Sequence, residues 1–285
     1  MRSVTGAFSG DAVAEVFASD DDPELVKSAL PFGLKTSEML LKSDPSNRDL
    51  YLSVAGGYVQ YAHVFVYQEA LKLDRVDLEK ARELRARARK LYLRGRTYAF
   101  QGLSLGHPNF EKALAADAAK ALAKCTKKDV PFLYWAGAGW AGAIVCDVGD
   151  MEKVGDLPQV EAMMRRILEL DEGFQDGAVH EFFISYEASH GGMQAGAFER
   201  AQEHFQRAVE LSRGKKASPY VSLAESVAVK KQDLALFREM LGKALAVDAE
   251  AVPAWRLANV IAQDRARWLM TQIPDLFVES EEVRP

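Results

Sequence analysis

The glycine-rich segment Gly137–Gly142 carries the most specific chemical motif of the chain. Its glycines satisfy the pattern G-x-G-x-x-G, which in dinucleotide-binding proteins joins a strand to a helix and holds a pyrophosphate against backbone amides. The same chemistry needs a second strand that ends, about 20 residues later, in an acidic residue for the ribose. Here the chain continues into "DVGDMEKVGD", and Pro131 starts a helix ahead of the glycines. We therefore predict close helix packing at these glycines, with Trp135 and Trp140 filling space beside them.

A second motif, "HEFFI", begins at His180. Zinc proteases of the H-E-x-x-H type need a second histidine four residues after the first, where this chain has Ile184. We expect His180 to be a hydrogen-bonded interior histidine. Alternatively, it lines a cavity with Phe183 and Glu187, which share its helix face. An acid/base pair formed by His180 and Glu187 is the corresponding enzyme hypothesis.

The remaining chemistry-bearing residues do not form a catalytic or metal-binding set. The other histidines are scattered along the chain: His63, His107, His190 and His204. Two cysteines, Cys125 and Cys146, are too few for a disulfide framework or a structural zinc site. We expect buried free thiols, with a single disulfide as the alternative. The sequence predicts a non-enzymatic protein without a cofactor or metal ion.

The composition is that of an ordinary globular protein, since 48% of the 285 residues are hydrophobic and 27% are charged. A net charge of -5 argues against a nucleic-acid partner, because phosphate binding usually leaves a basic excess. The sequence has no run of about 18 apolar residues that could span a membrane, and its start does not have the pattern of a signal peptide. We expect either a cytosolic protein or a chain whose targeting segment is missing.

The elements that would position these residues are helices, because one helical phrase recurs from Val160 onward. The corners "LELD", "VELS" and "LAVD" end at Asp171, Ser212 and Asp248, which are 41 and 36 positions apart. This spacing is typical of stacked helical hairpins of the tetratricopeptide kind. Similar corners precede it, as in "LLKSDPSN" and "ALAKCTKKDVPFLYW".

The fold prediction is therefore all-α, a helical-hairpin superhelix of about eleven helices. We expect residues 1–22 to form a flexible tether, residues 23–277 to form one domain, and residues 278–285 to form a tail. Prolines at the starts of second helices, such as Pro131, Pro219 and Pro253, support the pattern of helical hairpins because proline favours the first helical turn.

A predicted helix from Leu78 to Leu105 has one apolar and one basic face. The cations of the basic face are Lys80, Arg82, Arg85, Arg87, Arg89, Lys90, Arg94 and Arg96. The simplest interpretation is a solvated face balanced by nearby acids. The alternative is a docking surface for an acidic partner.

Aromatic residues concentrate near the starts of the second helices. In a helical array such recurrent positions can line one groove or channel, although ordinary packing between helices must account for most of them. A small-ligand site combines apolar walls with a few polar groups. The candidate ligand-binding residues are Tyr134, Trp135, Trp140, His180, Phe183, Tyr186, Glu187, Tyr220 and Asn259.

Five phrases, in order along the chain, resemble the T-component proteins of tripartite ATP-independent periplasmic (TRAP) transporters. They are "PFGLKTSEMLLKSDPSNRDLYLSVAGGYVQYAHVFV", "FLYWAGAGWAGAI", "DGAVHEFFISYEAS", "ASPYVSLAESVAVKKQD" and "LANVIAQDRARWLM". The resemblance covers about residues 30–277. It implies an all-helical fold with cryptic tetratricopeptide hairpins and a homotrimer in the periplasm. It also implies a lipid anchor, but this chain has no lipobox cysteine near its start, so the anchor would belong to a longer native precursor.

The function that the resemblance implies is a partnership with the periplasmic substrate-binding protein of a TRAP transporter. A pore through each protomer would take up a small hydrophobic or organic-acid ligand. The alternative hypothesis is a generic tetratricopeptide-like scaffold that binds a peptide in its concave face.

Overall fold

The computed structural model describes residues 11–147, 155–189 and 194–278, with side chains from residue 15 onward. Within these ranges every regular element is a helix, and eleven α-helices have seven or more residues. The prediction of an all-α fold with about eleven helices is thereby confirmed for the described residues. The tetratricopeptide-like superhelix stays a prediction.

The chain forms two compact units. Of the described residues, one unit comprises 11–16, 24–147 and 155–172, and the other comprises 17–23, 173–189 and 194–278. A single domain over residues 23–277 stays a prediction. Much of the predicted tether, residues 1–10, and nearly all of the predicted tail lie outside the described residues. Residues 11–18 of the tether segment form the helix α1 (Asp11–Ala18).

The first unit continues with long helices and short connections. Its elements are α2 (Pro23–Ser43), α3 (Arg48–Ala62), a π-helical segment (His63–Tyr67), α4 (Gln68–Leu73), α5 (Leu78–Ser104), α6 (Phe110–Ala116), α7 (Ala118–Leu122), a 3-10 turn (Lys127–Asp129), α8 (Val130–Val145) and α9 (Leu157–Asp171). Side-chain caps set several starts, because a cap satisfies a backbone amide that lacks a partner within the helix. Asn47 accepts a hydrogen bond from the amide of Leu50, and Asp77 accepts one from the amide of Lys80.

Glycines bring α3, α5 and α8 into close contact in the core of the first unit. A Cβ atom at Gly95 would lie 2.8 Å from the carbonyl oxygen of Ala55, and one at Gly139 would lie 2.9 Å from that of Tyr92. Both of these oxygens belong to the backbone of another helix, so a larger residue would fit there only if the helices moved apart. The prediction that the motif of α8 serves helix packing is confirmed, and the helical start at Pro131 is confirmed with it.

The second unit is built of shorter helices. Its elements are a 3-10 turn (Phe174–Asp176), α10 (Ala178–Ser189), α11 (Ala197–Leu211), α12 (Ser218–Leu223), a π-helical segment (Ala224–Ala228), α13 (Leu234–Ala246), two 3-10 turns (Ala249–Ala251 and Pro253–Trp255), α14 (Arg256–Thr271) and α15 (Ile273–Leu276). Its core draws on α10 to α14, with Phe237, Leu223 and Leu241 fully buried. Pro219 lies in the first turn of α12, as predicted. At Pro253 the chain first makes a 3-10 turn, so the α-helix begins three residues later than the sequence suggested.

No helix of the described ranges has both the length and the apolar character needed to cross a membrane.

Candidate functional site

The nine candidate ligand-binding residues are divided between the two units. Tyr134, Trp135 and Trp140 lie on α8 of the first unit, and the other six lie on α10, α12 and α14 of the second. The structure therefore presents two groups, and the contacts of each group show what its side chains do.

In the first unit, Trp135 fills the space above a glycine of α3. Its side chain is 9% exposed, and a Cβ atom at Gly56 would lie 2.9 Å from the indole ring. The ring of Tyr134 meets that of Trp135 edge-on at 4.9 Å between centroids and remains partly exposed. Trp135 is thus part of the contact between α3 and α8, while Tyr134 keeps part of its surface accessible.

Trp140 is held on three sides. The guanidinium of Arg96 lies 4.0 Å from the centre of its ring, and Phe100 meets it edge-on at 6.1 Å. Its indole Nε1 donates a hydrogen bond of 3.1 Å to Asp156. Burial lowers the pKa of Arg96, although Glu111 and Asp156 act in the opposite direction. The partly buried cation is therefore compensated by an aromatic face and two carboxylates.

In the second unit, His180 forms a histidine pair that joins α10 to α11. Its Nδ1 lies 2.8 Å from Nδ1 of His204, and its side chain is 6% exposed. The ring of Phe183 stacks on His204 at 4.8 Å between centroids. The expectation of a hydrogen-bonded interior histidine is confirmed for His180. The sequence did not indicate its partner, because 24 residues separate the two histidines and only the packing of α10 on α11 brings them together.

Tyr186 extends an aromatic cluster on α10. It stacks on Phe182 at 5.6 Å and meets Phe183 edge-on at 5.8 Å. Phe182 and Tyr186 are both partly exposed, whereas Phe183 is fully buried. This cluster is the part of the predicted site that combines aromatic surface with access from outside the unit.

Glu187 is 3% exposed and forms an ion pair with Arg200, whose Nε lies 2.7 Å from its carboxylate. A second bond from Arg200, 3.0 Å to the carbonyl oxygen of Ala195, helps to fix the guanidinium. Seven residues separate His180 from Glu187, so about 10 Å of helix axis lies between them. This separation does not suit a directly hydrogen-bonded acid/base pair, and each group has its own partner on or beside α11.

Asn259 and Tyr220 support the corner that precedes α12. The side chain of Asn259 accepts a hydrogen bond of 2.9 Å from the amide of Ala217 and donates one of 3.0 Å to the carbonyl oxygen of Lys215. The amide is 1% exposed, and both of its ends are engaged. Tyr220 lies edge-on to Phe205 at 5.5 Å. Asn259 thus holds the chain between α11 and α12 in place.

A polar cluster that the sequence did not reveal lies beside the 3-10 turn before α8. Ligand atoms of His107, Cys125 and Asp129 lie within 4.8 Å of one another, a grouping that could in principle hold a metal ion. The carboxylate of Asp129, however, already accepts bonds from Arg48 at 3.1 Å, from His107 at 3.0 Å and from Thr126.

The protonation of this cluster also fits the metal role poorly. Burial alone would raise the pKa of Asp129, but the hydrogen bonds from Thr126, His107 and Arg48 outweigh it and hold the pKa at about 2. Burial raises the pKa of Cys125 to about 11, so its thiol stays protonated at neutral pH. A metal-binding cysteine must lose its proton. We assign the cluster to the stabilisation of the turn that starts α8.

None of the nine candidate residues lines either of two surface pockets formed by described residues of the first unit. One, of about 370 Å³, lies along α5 and is lined by Lys90, Leu93, Arg94, Thr97, Tyr98 and Gln101. The other, of about 200 Å³, is lined by residues that include His107, Phe110 and Lys124.

Within the described residues the protein is all-helical, and its buried candidate side chains, such as Trp135, His180 and Glu187, join one helix to another. Comparison with known proteins identifies the family. The model of the TRAP transporter T-component family matches residues 19–277. An uncharacterised protein of Treponema pallidum (strain Nichols) is 32% identical over 268 residues, which cover 93% of this chain and 83% of the relative. The chain belongs to the TRAP transporter T-component family, as its sequence resemblance predicted. It is therefore a component of a TRAP system, from a family of transporter components and not of enzymes.

Proposed function

We propose that this protein binds the periplasmic substrate-binding protein of its TRAP system and passes a small hydrophobic or organic-acid ligand to or from it. The observation that carries the proposal is the family match, which runs through both units from residue 19 to residue 277. Binding and transfer need no catalytic group, which agrees with the structural roles of His180 and Glu187 in joining α10 to α11.

The partly exposed aromatics are the best candidates for ligand contact. Tyr134 and Trp140 in the first unit, and Tyr186 and Tyr220 in the second, keep part of their surface accessible. Trp135, His180, Phe183, Glu187 and Asn259 are at most 9% exposed. These buried residues hold the helices around a binding site in place, whereas the partly exposed aromatics can offer surface to an apolar or partly apolar ligand.

Titration of the purified protein with the substrate-binding protein of the same system tests the partnership. We expect a saturable complex by calorimetry, with an affinity that depends on whether the substrate-binding protein holds its ligand. Failure to form a complex at high micromolar concentration, in every ligand state, would refute the proposal.

Native mass spectrometry tests the ligand. A co-purifying organic acid or lipid supports ligand transfer. A complex that forms without any small molecule supports the alternative, a scaffold that recognises a peptide segment of its partner.

We further propose the periplasm as the location, a lipid anchor on the native precursor, and a homotrimer. The outward face of α2 supports self-association, because Leu25, Phe32 and Met39 are 57%, 77% and 61% exposed at seven-residue spacing. Smaller residues, Ala29 and Thr36, lie between them, as in helices that pack along a heptad seam. Light scattering should show that Phe32→Lys shifts the protein toward monomer; a monomeric wild-type protein would refute the trimer.

A further inference from the structure

The eight cations of α5 divide into two sets. Four of them pair with carboxylates of the same unit: Lys80 with Glu83 at 2.8 Å, Arg85 with Asp74, Arg89 with Asp147 at 3.8 Å, and Arg96 with Glu111 at 2.7 Å. Half of the cations therefore agree with the simplest interpretation of the basic face, a solvated surface whose charges are balanced by nearby acids.

The other set includes a straight stripe. Arg87, Lys90 and Arg94 are exposed and occupy positions i, i+3 and i+7, which share one face of a helix. None of the three has a carboxylate oxygen within 4.0 Å among the residues that the structure describes. These three cations span about 10 Å of helix axis, and Thr97 and Gln101 extend the same line to about 21 Å at the rise of an α-helix.

The groove of about 370 Å³ lies along this stripe and exposes Lys90, Leu93 and Arg94 together with Tyr98. It thus combines cationic groups with an apolar side chain and an aromatic ring. Arginine and tyrosine are enriched at the centres of protein interfaces, where one planar side chain supplies both contact area and hydrogen bonds.

Side chains beside the groove are held in place before any partner binds. The guanidinium of Arg94 lies 5.2 Å from the centre of the Tyr58 ring and donates a bond of 3.4 Å to its hydroxyl. Tyr98 stacks on Tyr58 at 6.3 Å and donates a bond of 3.0 Å to Glu38. Because these side chains are already ordered, binding loses less conformational entropy than it would at a flexible surface.

We propose that the stripe Arg87–Lys90–Arg94, with the groove beside it, is the docking site for an acidic surface of a protein partner. Building on the proposed function, that partner is the substrate-binding protein of the TRAP system. The three cations span about 10 Å of helix axis, and the line that Thr97 and Gln101 extend to about 21 Å matches a helix or an extended segment better than a small organic anion. The net charge of -5 disfavours nucleic acid, and three cations fall short of the clusters of about 4–8 that bind anionic lipid.

A charge-reversal experiment with a matched control tests the assignment. The variant Arg87→Glu/Lys90→Glu alters the stripe, and Lys112→Glu/Lys120→Glu changes the net charge equally on α6 and α7, where both lysines are exposed. Glutamate is a good helix former, so each variant should keep the wild-type thermal midpoint. We expect the stripe variant to associate with the substrate-binding protein about tenfold more slowly at low salt, and the control to match wild type. The wild-type rate should fall as ionic strength rises.

The outcomes separate this site from the proposed function. If wild type binds and the two double variants associate equally fast, the docking site is wrong and the proposed function stands. If wild type does not bind, both are wrong. Vesicles containing anionic phosphatidylglycerol provide the second arm. The proposal is overturned if the wild-type protein binds the vesicles, the stripe variant does not, and the stripe variant still binds the substrate-binding protein as wild type does. The stripe would then be assigned to a membrane surface.

Discussion

Replacing Gly139 by alanine tests the packing of the α8 glycines most directly. The added Cβ atom would lie 2.9 Å from the carbonyl oxygen of Tyr92 and 3.2 Å from the amide nitrogen of Arg96, both in the backbone of α5, and 3.1 Å from the side chain of Val59 on α3. Ordinary contacts of a Cβ atom begin near 3.4 Å, so α5 and α8 must move apart to accept it. A flexible side chain can rotate away from such a clash, but a helix backbone can move only together with its neighbours.

Two opposing effects set the size of the change. Alanine is favoured over glycine in a helix interior by about 1 kcal/mol. Overpacking a close contact costs about 1–3 kcal/mol and more where backbone must shift. Because the closest neighbour, the carbonyl oxygen of Tyr92, is a backbone atom, we expect the upper part of that range and a net loss of about 2 kcal/mol in the free energy of unfolding.

Two further glycines provide matched controls. A Cβ atom at Gly137 would meet mainly the mobile end of Met164, at 2.8 Å, so Gly137→Ala should cost much less. Gly242 lies in α13 with no atom within 4 Å of the added Cβ, so Gly242→Ala should raise the free energy of unfolding by up to about 1 kcal/mol.

Urea unfolding followed by circular dichroism at the helical band measures all three variants. The expected order of stability is Gly242→Ala, wild type, Gly137→Ala and Gly139→Ala, from highest to lowest. If Gly139→Ala unfolds with the wild-type free energy, the close approach of α5 and α8 is not real and the packing interpretation fails. If NAD raised the thermal midpoint of the wild-type protein, that result would also contradict the packing interpretation and would favour dinucleotide binding at the glycine motif.

Three further changes test individual contacts. The pKa of Asp129 is held at about 2, below its ordinary 3.8. Its ion pair and hydrogen bonds should therefore contribute about 2 kcal/mol above pH 4, lost as the pH falls from about 4 to about 2, and Asp129→Asn should flatten unfolding titrations in that window. Asn259→Ala leaves a backbone amide and a carbonyl of the α12 corner without their partner, so urea unfolding should show a loss of about 2–3 kcal/mol; an unchanged midpoint would contradict both hydrogen bonds. Burial raises the pKa of Cys125 to about 11 and that of Cys146 to about 12, so iodoacetamide at pH 8 should label both only after unfolding, and rapid labelling of the native protein would show that the thiols are accessible.

The helices were predictable because their signals are local. Pro131 and Pro219 lie in the first turns of their helices, and Ser212 caps α11 with a hydroxyl bond of 2.8 Å to the carbonyl of Ala208. Such signals depend on a few neighbouring residues, so composition and spacing reveal them. At Pro253 the chain makes a 3-10 turn before α14. Proline is compatible with the first turn of either kind of helix, so the local sequence does not determine which one forms.

The contacts between side chains were less predictable because they depend on how each helix rotates about its axis. His204 and Arg200 lie on α11 and meet residues of α10, yet nothing in the spacing along the chain specifies either pair. The polar cluster of Asp129 was missed for the same reason, since its partner Arg48 is 81 residues away. Aromatic residues are difficult for a different reason, because those buried between helices and those accessible to a ligand have the same sequence pattern. Only exposure separates Phe183 from Tyr186.

The state of each polar group then distinguishes residues that build the fold from residues available to a partner. Asn259 and Glu187 have their hydrogen-bonding groups engaged within their own unit, so their replacement should change stability first and binding only through it. The exposed cations Arg87 and Lys90 lack carboxylate partners among the described residues, so their replacement should leave stability nearly unchanged. A variant set that separates these two effects, with unfolding and association measured on the same proteins, would locate the binding surface even while the ligand is unidentified. If the buried polar residues instead control association at unchanged stability, the binding surface lies among them and not on α5.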